Sequence, residues 1–403
     1  MIMKHKIFYK NLDLIKILNK TIIQFFFTYL VLLNFINKFF LKNNMKSEIR
    51  IEEIEIYNIE KYYKLCNNGI LLNKKNFTKN INPKISIITP IYNKEKYILR
   101  YLRSIQNQFF DNIEIIIIDD HSTDNSTKII EHFQKEDERI ILIKHKKNKG
   151  TLISRNEGVL KSNAEYLMFL DPDDLFSNDI LINGYIMAKK YDYDFIRFNL
   201  YEGNNNINFN FVIKNLISKP IYQPELNLYL FYGLGKLKEI DFFITNKIIK
   251  KNIFIKALNS INKYYLNQFM IDCEDGLINF FIYKISNSYY LMKKIGYFYI
   301  KNHKSITKEC ENNFKKRIKS NFLYLKFIFQ YTKNNRIEKN IANFIFFDIY
   351  SHNKDIFINI FKEIKEIEFY KEIIELYLNC KFISLNLKKI LNNIIFLIKK
   401  EIK

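Results

Sequence analysis

The sequence predicts an α/β fold, a mostly parallel sheet flanked by helices, with a helical C-terminal extension. Three observations lead there. Short β-branched runs recur at ISIITPIYN (85–93), IEIIIIDD (113–120), RIILIKH (139–145) and YLMFLD (166–171). Such near-continuous apolar runs suit strands buried on both faces. Helix-like stretches KEKYILRYLRSIQNQ, DNSTKIIEHFQKE and TLISRNEGVLKSN separate them, and alternating strand and helix implies a parallel, doubly wound sheet. Third, the polar groups TP-YN, DDHS and DPDD each follow a strand, so they should converge on the carboxyl edge, where such sheets bind ligands.

Taken in order, residues 1–43 form an N-terminal segment containing TIIQFFFTYLVLLNFINKFF (21–40). This run just reaches the ~20 apolar residues a membrane-spanning helix needs. It is interrupted only by Gln24, Asn34, Asn37 and Lys38, and reads as a single signal-anchor or membrane-associated helix, with an amphipathic or buried helix as the alternative. The segment before it is too long and too evenly charged for the start of a cleaved signal peptide. Residues 44–82, with EIRIEEIEIYNIEKYYKLC, read as a charged helical connector ending at Asn82-Pro83. Strand and helix then alternate over 83–200. Residues 201–310 are looser and rich in Asn and aromatics, and 311–403 carry apolar residues at helical spacing.

Composition narrows the function. The chain has 403 residues, 48% hydrophobic, ample for one large domain or two smaller ones. A net charge of +22 would ordinarily suggest nucleic acid or an anionic membrane. Its Lys is interleaved with Asn and Ile along the whole chain, and all three residue types have A/T-rich codons. The charge therefore specifies no nucleic-acid partner. Cys66, Cys273, Cys310 and Cys380 lie far apart with no CxxC, which fits a reducing compartment and argues against a zinc site or disulfide framework.

The chemistry sits at the strand ends. Asp171, Asp173 and Asp174 crowd like charges around Pro172. A hard divalent cation, Mg²⁺ or Mn²⁺, would relieve that repulsion through one or two carboxylates plus substrate phosphates. An ordinary acidic turn at a strand end is the alternative. Asp119 and Asp120 end another strand and suit hydrogen bonds from a nucleobase or ribose, with Asp124 or Ser126 expected to cap the helix that follows. In KNKGTLISRNEG (147–158), Gly150 permits a tight loop and Arg155 lies near a helix start, a setting for pyrophosphate. No GxxxxGK[ST] or GxGxxG exists in the chain, so kinase and dinucleotide readings lack their phosphate cradle.

The succession ISIITPIYN, EIIIIDDHSTDNS, NKGTLISRNEG, YLMFLDPDD resembles the family 2 glycosyltransferases in spacing and order. The resemblance is strong from about Ile85 to Ile182. It implies the GT-A fold, a nucleotide-sugar-binding half (83–200) joined to an acceptor-binding half (201–310). It implies that Thr89, Pro90 and Tyr92 line the nucleotide pocket, that Asp119 or Asp120 holds the base, and that Arg155 approaches the nucleotide. Asp171 and Asp173 would form the motif for ribose and a metal-bound diphosphate. Cys273-Glu274-Asp275-Gly276 matches the family's Glu-Asp pair, with Asp275 as general base; both carboxylates would also favour a helix N-terminus on electrostatic grounds alone. TNKIIKKNIF (245–254) resembles a segment bordering the acceptor site, and YIKNHKSIT (299–307) one whose His, here His303, completes the metal or diphosphate site. The chain departs from the family pattern at His121, where Gly is usual and a positive φ is expected.

What the resemblance implies is an inverting hexosyl or related glycosyl transfer. The donor would be a nucleotide-diphospho-sugar, a UDP-sugar first, and the acceptor a glycan, a lipid-linked molecule or a protein. A divalent cation would assist. Processive synthases of the family carry Gln-x-x-Arg-Trp, which a chain without Trp cannot contain. Two alternatives remain: a nucleotidyltransferase acting on sugar phosphates, disfavoured because ITPIYNKEKY has no glycine, and a catalytically inactive membrane-linked binding protein. The expected location is a membrane surface, by a single pass, with the catalytic domain facing the cytoplasm; otherwise the cytoplasm itself.

Overall fold

A computed structural model describes residues 61–72, 77–204, 209–210, 219–222, 243–270, 274–301 and scattered positions from 320 to 331. The chain divides into two compact units, and the described residues from Tyr62 onward belong to the unit made by Tyr62–Gly233 and Leu237–Lys403. The 21–40 run and His303 lie outside the described residues, as does nearly all of 311–403. Among the described residues no helix is long and apolar enough to cross a membrane.

Four strands form the first half of the sheet: β1 (Ile85–Ile91), β2 (Ile113–Asp119), β3 (Ile140–Lys144) and β4 (Tyr166–Phe169). They stand in the order β3-β2-β1-β4 and are parallel throughout. The expected strands are all present. Every residue of β1, β2 and β4 is buried, which is why each is an almost uninterrupted apolar run.

Helices cover both faces. On one side α2 (Glu95–Gln106) and α3 (Ser126–Gln134) cover Ile87, Ile115 and Ile117 with Ile98, Leu102, Ile105, Ile130 and Phe133. On the other α4 (Thr151–Lys161) sets Leu152 and Val159 against Ile88, Ile116 and Ile118. The chain reverses its direction of travel across the sheet between β1 and β4. A crevice therefore opens beyond their carboxyl ends, at Ile91 and Asp171.

The sheet then becomes mixed. Past β4 come β9 (Lys247–Lys250), β6 (Phe195–Asn204), β10 (Ser288–Lys301) and β5 (Leu175–Phe176). The short strands β7 (Phe209–Asn210) and β8 (Lys219–Tyr222) pair with β6 and β10. β10 runs parallel to β6 along its length, and β9 is antiparallel to both of its neighbours. The helices of this half are α5 (Ile180–Tyr191), α6 (Lys251–Ser260), the single turn α7 (Lys263–Leu266) and α8 (Glu274–Ile285).

Two expectations need correction. The connector is helical only over 61–67 among its described residues, here α1. Gly69, at φ +69°, ends it: its N–H reaches the Cys66 carbonyl and that of Ile70 the Leu65 carbonyl, a Schellman turn. The N-cap position of α3 is Asn125 rather than Asp124 or Ser126, and its own side chain makes no cap bond. Asp124 instead accepts from the Ser126 N–H (2.9 Å) and the Glu95 N–H (3.0 Å), joining the starts of α3 and α2. His121 does take the positive φ expected, +70°.

Close packing of α4 on the sheet depends on Gly158. A Cβ there would lie 2.5 Å from Ile88 Cγ2 and 2.9 Å from Ile118 Cδ1. Gly158→Ala should therefore destabilise the fold by about 1–3 kcal/mol, the usual cost of overpacking a filled interior. Urea denaturation checks it, and an unchanged midpoint would show that α4 can move away freely.

Candidate active site

At the crevice the acidic turn is held on every side. Asp174 is fully enclosed; its Oδ2 accepts from the Tyr297 hydroxyl (2.6 Å) and its Oδ1 from the Ile300 N–H (2.8 Å). Burial first, then the nearby charges of Asp173 and Asp171, push its carboxyl well above the ordinary range. Asp174 thus orients the turn against β10 and offers nothing to a ligand. Asp173 and Asp171 face outward, and each has met a cation: Lys94 Nζ lies 2.8 Å from Asp173 Oδ2, and Arg155 Nη2 lies 2.9 Å from Asp171 Oδ1. Burial alone would pull the Lys94 ammonium down, but the Asp173 carboxylate outweighs it and raises it.

Arg155 is the hub. Its side chain is only 4% exposed, and besides Asp171 it reaches two carboxylates on the first turn of α8. Nη1 lies 3.4 Å from Glu274 Oε1 and bonds Asp275 Oδ1. The Thr151 hydroxyl donates to Glu274 Oε1 at 2.8 Å, and the Ile244 N–H to Asp275 Oδ2 at 3.2 Å. Both oxygens of Asp275 are therefore engaged, whereas Glu274 Oε2 accepts no hydrogen bond from another described residue. Desolvation, then the neighbouring Asp275 charge, pushes Glu274 up from 4.5 to about 7; Arg155 restrains that rise. Asp275 is raised as well, by burial ahead of the opposing Arg155 charge. A carboxylate with a free oxygen and a midpoint near neutrality can take up a proton from a hydroxyl.

Several predicted roles change on contact with the geometry. Thr89 is buried, donates to the Leu170 carbonyl (2.7 Å) and accepts from the Tyr101 hydroxyl (2.7 Å). Pro90 is buried in β1, while Tyr92 is half exposed beyond its end. Asp119 accepts from the Ser122 N–H and the Thr127 hydroxyl. Asp120 gathers His145 Nδ1 and the N–H groups of Lys149 and Gly150, each at 2.7 Å. Both carboxylates shape loops, and the N–H bonds to Asp120 fix the turn that starts α4. Arg155 faces carboxylates rather than open space. Asp171, Asp173, Glu274 and Asp275 are brought together; Asp119 and Asp120 are not among them.

The residues missed are Lys94, Thr151, Tyr297 and His145. Lys94 left a signal: a lysine at a helix N-cap opposes the helix dipole, so it must answer to another charge. His145 bridges Asp120 and Glu157 (2.7 Å each), a contact between distant chain positions with no local pattern.

Asp171 and Asp173 fit a hard divalent cation. Each keeps one oxygen, Oδ2 and Oδ1 respectively, that accepts no hydrogen bond among the described residues. No group of three metal-ligating side chains gathers among the described residues, so the remaining ligands would come from phosphate oxygens or water.

The acidic turn and the carboxylate pair of α8 thus meet on Arg155 beyond the carboxyl ends of β1 and β4. Residues 86–258 match Glycosyl transferase family 2, and the chain carries a domain of that family. It is 28% identical over 225 residues to "Glycosyltransferase GlyA" of Streptococcus pneumoniae, covering 54% of this chain and 31% of that protein. It is 36% identical over 93 residues to a Campylobacter jejuni protein named GalNAc(5)-diNAcBac-PP-undecaprenol beta-1,3-glucosyltransferase, covering 23% of this chain and 30% of that one. The chain thus spans about a third of the length of these curated relatives. The crystal structure of Staphylococcus aureus TarS residues 1–349 with UDP-GlcNAc superposes with a TM-score of 0.54 at 19% identity, over 73% of this chain and 81% of that one. The fold is accordingly GT-A-like, as the resemblance implied.

Arg155 is the opposing charge that keeps Glu274 from rising further. Arg155→Gln should move the Glu274 midpoint above 7 in a carbon-13 NMR titration of the carboxyls. A midpoint unmoved by the substitution would remove Arg155 from the electrostatics of the pair.

Proposed function

We propose that the protein transfers one sugar from a nucleotide-diphospho-sugar, a UDP-sugar in the first instance, to a hydroxyl of a glycan or lipid-linked acceptor. The observation that supports this most is the convergence, on the buried guanidinium of Arg155, of Asp171 from the acidic turn inside the family 2 match and the Glu274–Asp275 pair just beyond it.

In this reading the nucleotide lies in the crevice beyond β1 and β4, with Tyr92 at its rim. The acceptor oxygen attacks the anomeric carbon from the side of α8 as the bond to the diphosphate oxygen breaks, so the configuration inverts. The hydroxyl proton passes to the Glu274–Asp275 pair. Arg155 and the Ile244 N–H hold Asp275 in place, and Thr151 holds Glu274. Asp171 and Asp173 would hold Mn²⁺ or Mg²⁺, whose charge would offset that of the departing diphosphate. Lipid-linked acceptors suit the name of the Campylobacter relative, and UDP-sugars suit the TarS complex. The apolar run at 21–40 would keep the catalytic unit at the cytoplasmic face of a membrane, where a lipid-linked acceptor is met.

The test is sugar transfer with a panel of UDP- and GDP-sugars in the presence of Mn²⁺. Asp173→Ala and Asp275→Asn should each lower kcat by about 10²–10⁴, and kcat/KM of the native chain should rise with pH through about 7 as the pair ionises. Wild-type transfer by both variants would refute the assignment.

A further inference from the structure

The residues ahead of the family domain connect to the acidic turn through Arg100. α1 and the Schellman turn lie on α2: the Tyr62 hydroxyl donates to the Ser104 carbonyl (3.1 Å), the Asn107 side-chain amide to the Ile70 carbonyl (2.9 Å), and the Leu72 N–H to Asn107 Oδ1 (2.8 Å). Tyr63, buried beside them, plays a different part. Its hydroxyl accepts from Arg100 Nη1 at 2.7 Å, and its ring lies 5.2 Å from the same guanidinium. Arg100 in turn donates from Nη2 to the backbone carbonyl of Asp173 at 2.6 Å.

Arg100 is buried and has no carboxylate within ion-pair distance among the described residues. A buried guanidinium whose hydrogen bonds go to a phenol and a carbonyl, with no carboxylate, is costly to keep. What it gains is a place beside a turn carrying three carboxylates. Asp173 is thereby held at both ends from α2, its carboxylate by Lys94 and its carbonyl by Arg100. The Tyr97 ring lies beside both cations. A hydrogen bond in such a shielded place fixes the peptide it meets more firmly than one in water.

We propose that Tyr63 and Arg100 are positioning residues of the donor site: Tyr63 sets the Arg100 guanidinium, and Arg100 sets the peptide that presents the Asp173 carboxylate. The segment preceding the family domain is then a working part of the nucleotide-binding unit. This rests on the donor-site reading of the crevice and goes beyond it by extending the site to residues upstream of position 86.

The experiment compares the full-length chain with Tyr63→Phe, Arg100→Lys and Tyr62→Phe. Tyr62→Phe serves as a control, because it removes a bond between the same two helices that does not lead to Asp173. UDP and GDP binding are measured calorimetrically with and without Mn²⁺, and hydrogen exchange is followed in the peptide spanning 167–176. Tyr63→Phe should weaken Mn²⁺-dependent nucleotide binding about three- to tenfold, the worth of one hydrogen bond. It should also speed exchange in the 167–176 peptide. Arg100→Lys, which keeps the charge but not the fork, should do the same, and Tyr62→Phe should leave both readouts as in the native chain. Native binding and exchange in Tyr63→Phe, or equal losses in Tyr62→Phe and Tyr63→Phe, would overturn the proposal. If the native chain binds neither nucleotide, the functional reading fails and the assignment to a donor site fails with it.

Discussion

One desolvated guanidinium joins the two halves of this site. Arg155 comes from α4 on the parallel half of the sheet, Glu274 and Asp275 from the start of α8 in the mixed half, and Asp171 from the end of β4. Three carboxylates so close together would repel one another strongly at the low effective dielectric of a buried site. A charge that cannot be shed makes the arrangement tolerable, and arginine is the side chain that supplies it. Because the carboxylates outnumber it, the pair on α8 stays proton-hungry, and that residual imbalance adds to desolvation in raising Glu274 to about 7.

Around Arg155 the other carboxylates are held in two ways, the part-buried Asp173 by a cation and the enclosed ones by N–H or O–H donors. Lys94 serves Asp173, whereas Asp174 relies on Tyr297 and the Ile300 N–H. Asp119 and Asp120 are enclosed by the loops they organise. Pairing by cations leaves Asp171 and Asp173 each with one oxygen that accepts no hydrogen bond among the described residues. Enclosure by donors leaves none. The two kinds of carboxylate therefore differ in what holds them, although the sequence writes them all as Asp at the end of a strand.

That distinction marks how far the sequence could be read. The strands, their order along the chain and the gathering of DPDD at the sheet edge were legible, because burial on both faces writes itself as an apolar run and a parallel sheet dictates where strand ends point. The pairing of Glu274 with the acidic turn was legible only through resemblance. Roles that depend on which way a side chain turns were not. Thr89 looked available and is consumed by Leu170 and Tyr101. Arg155 looked like a phosphate ligand and is a carboxylate hub, since nothing local announces a partner 119 or 120 positions away. Lys94 alone left a trace, as a cation at a helix start.

Everything at this site depends on Arg155 being kept for its carboxylates. A denaturation cycle at neutral pH tests this directly, placing Arg155→Met in the native chain and in a chain carrying Asp171→Asn, Glu274→Gln and Asp275→Asn. The expected cost is about 3–5 kcal/mol in the native background, where buried charges lose their partner, and far less once those charges are neutral. Equal costs in the two backgrounds would contradict it, leaving Arg155 as packing and the site without its central bond.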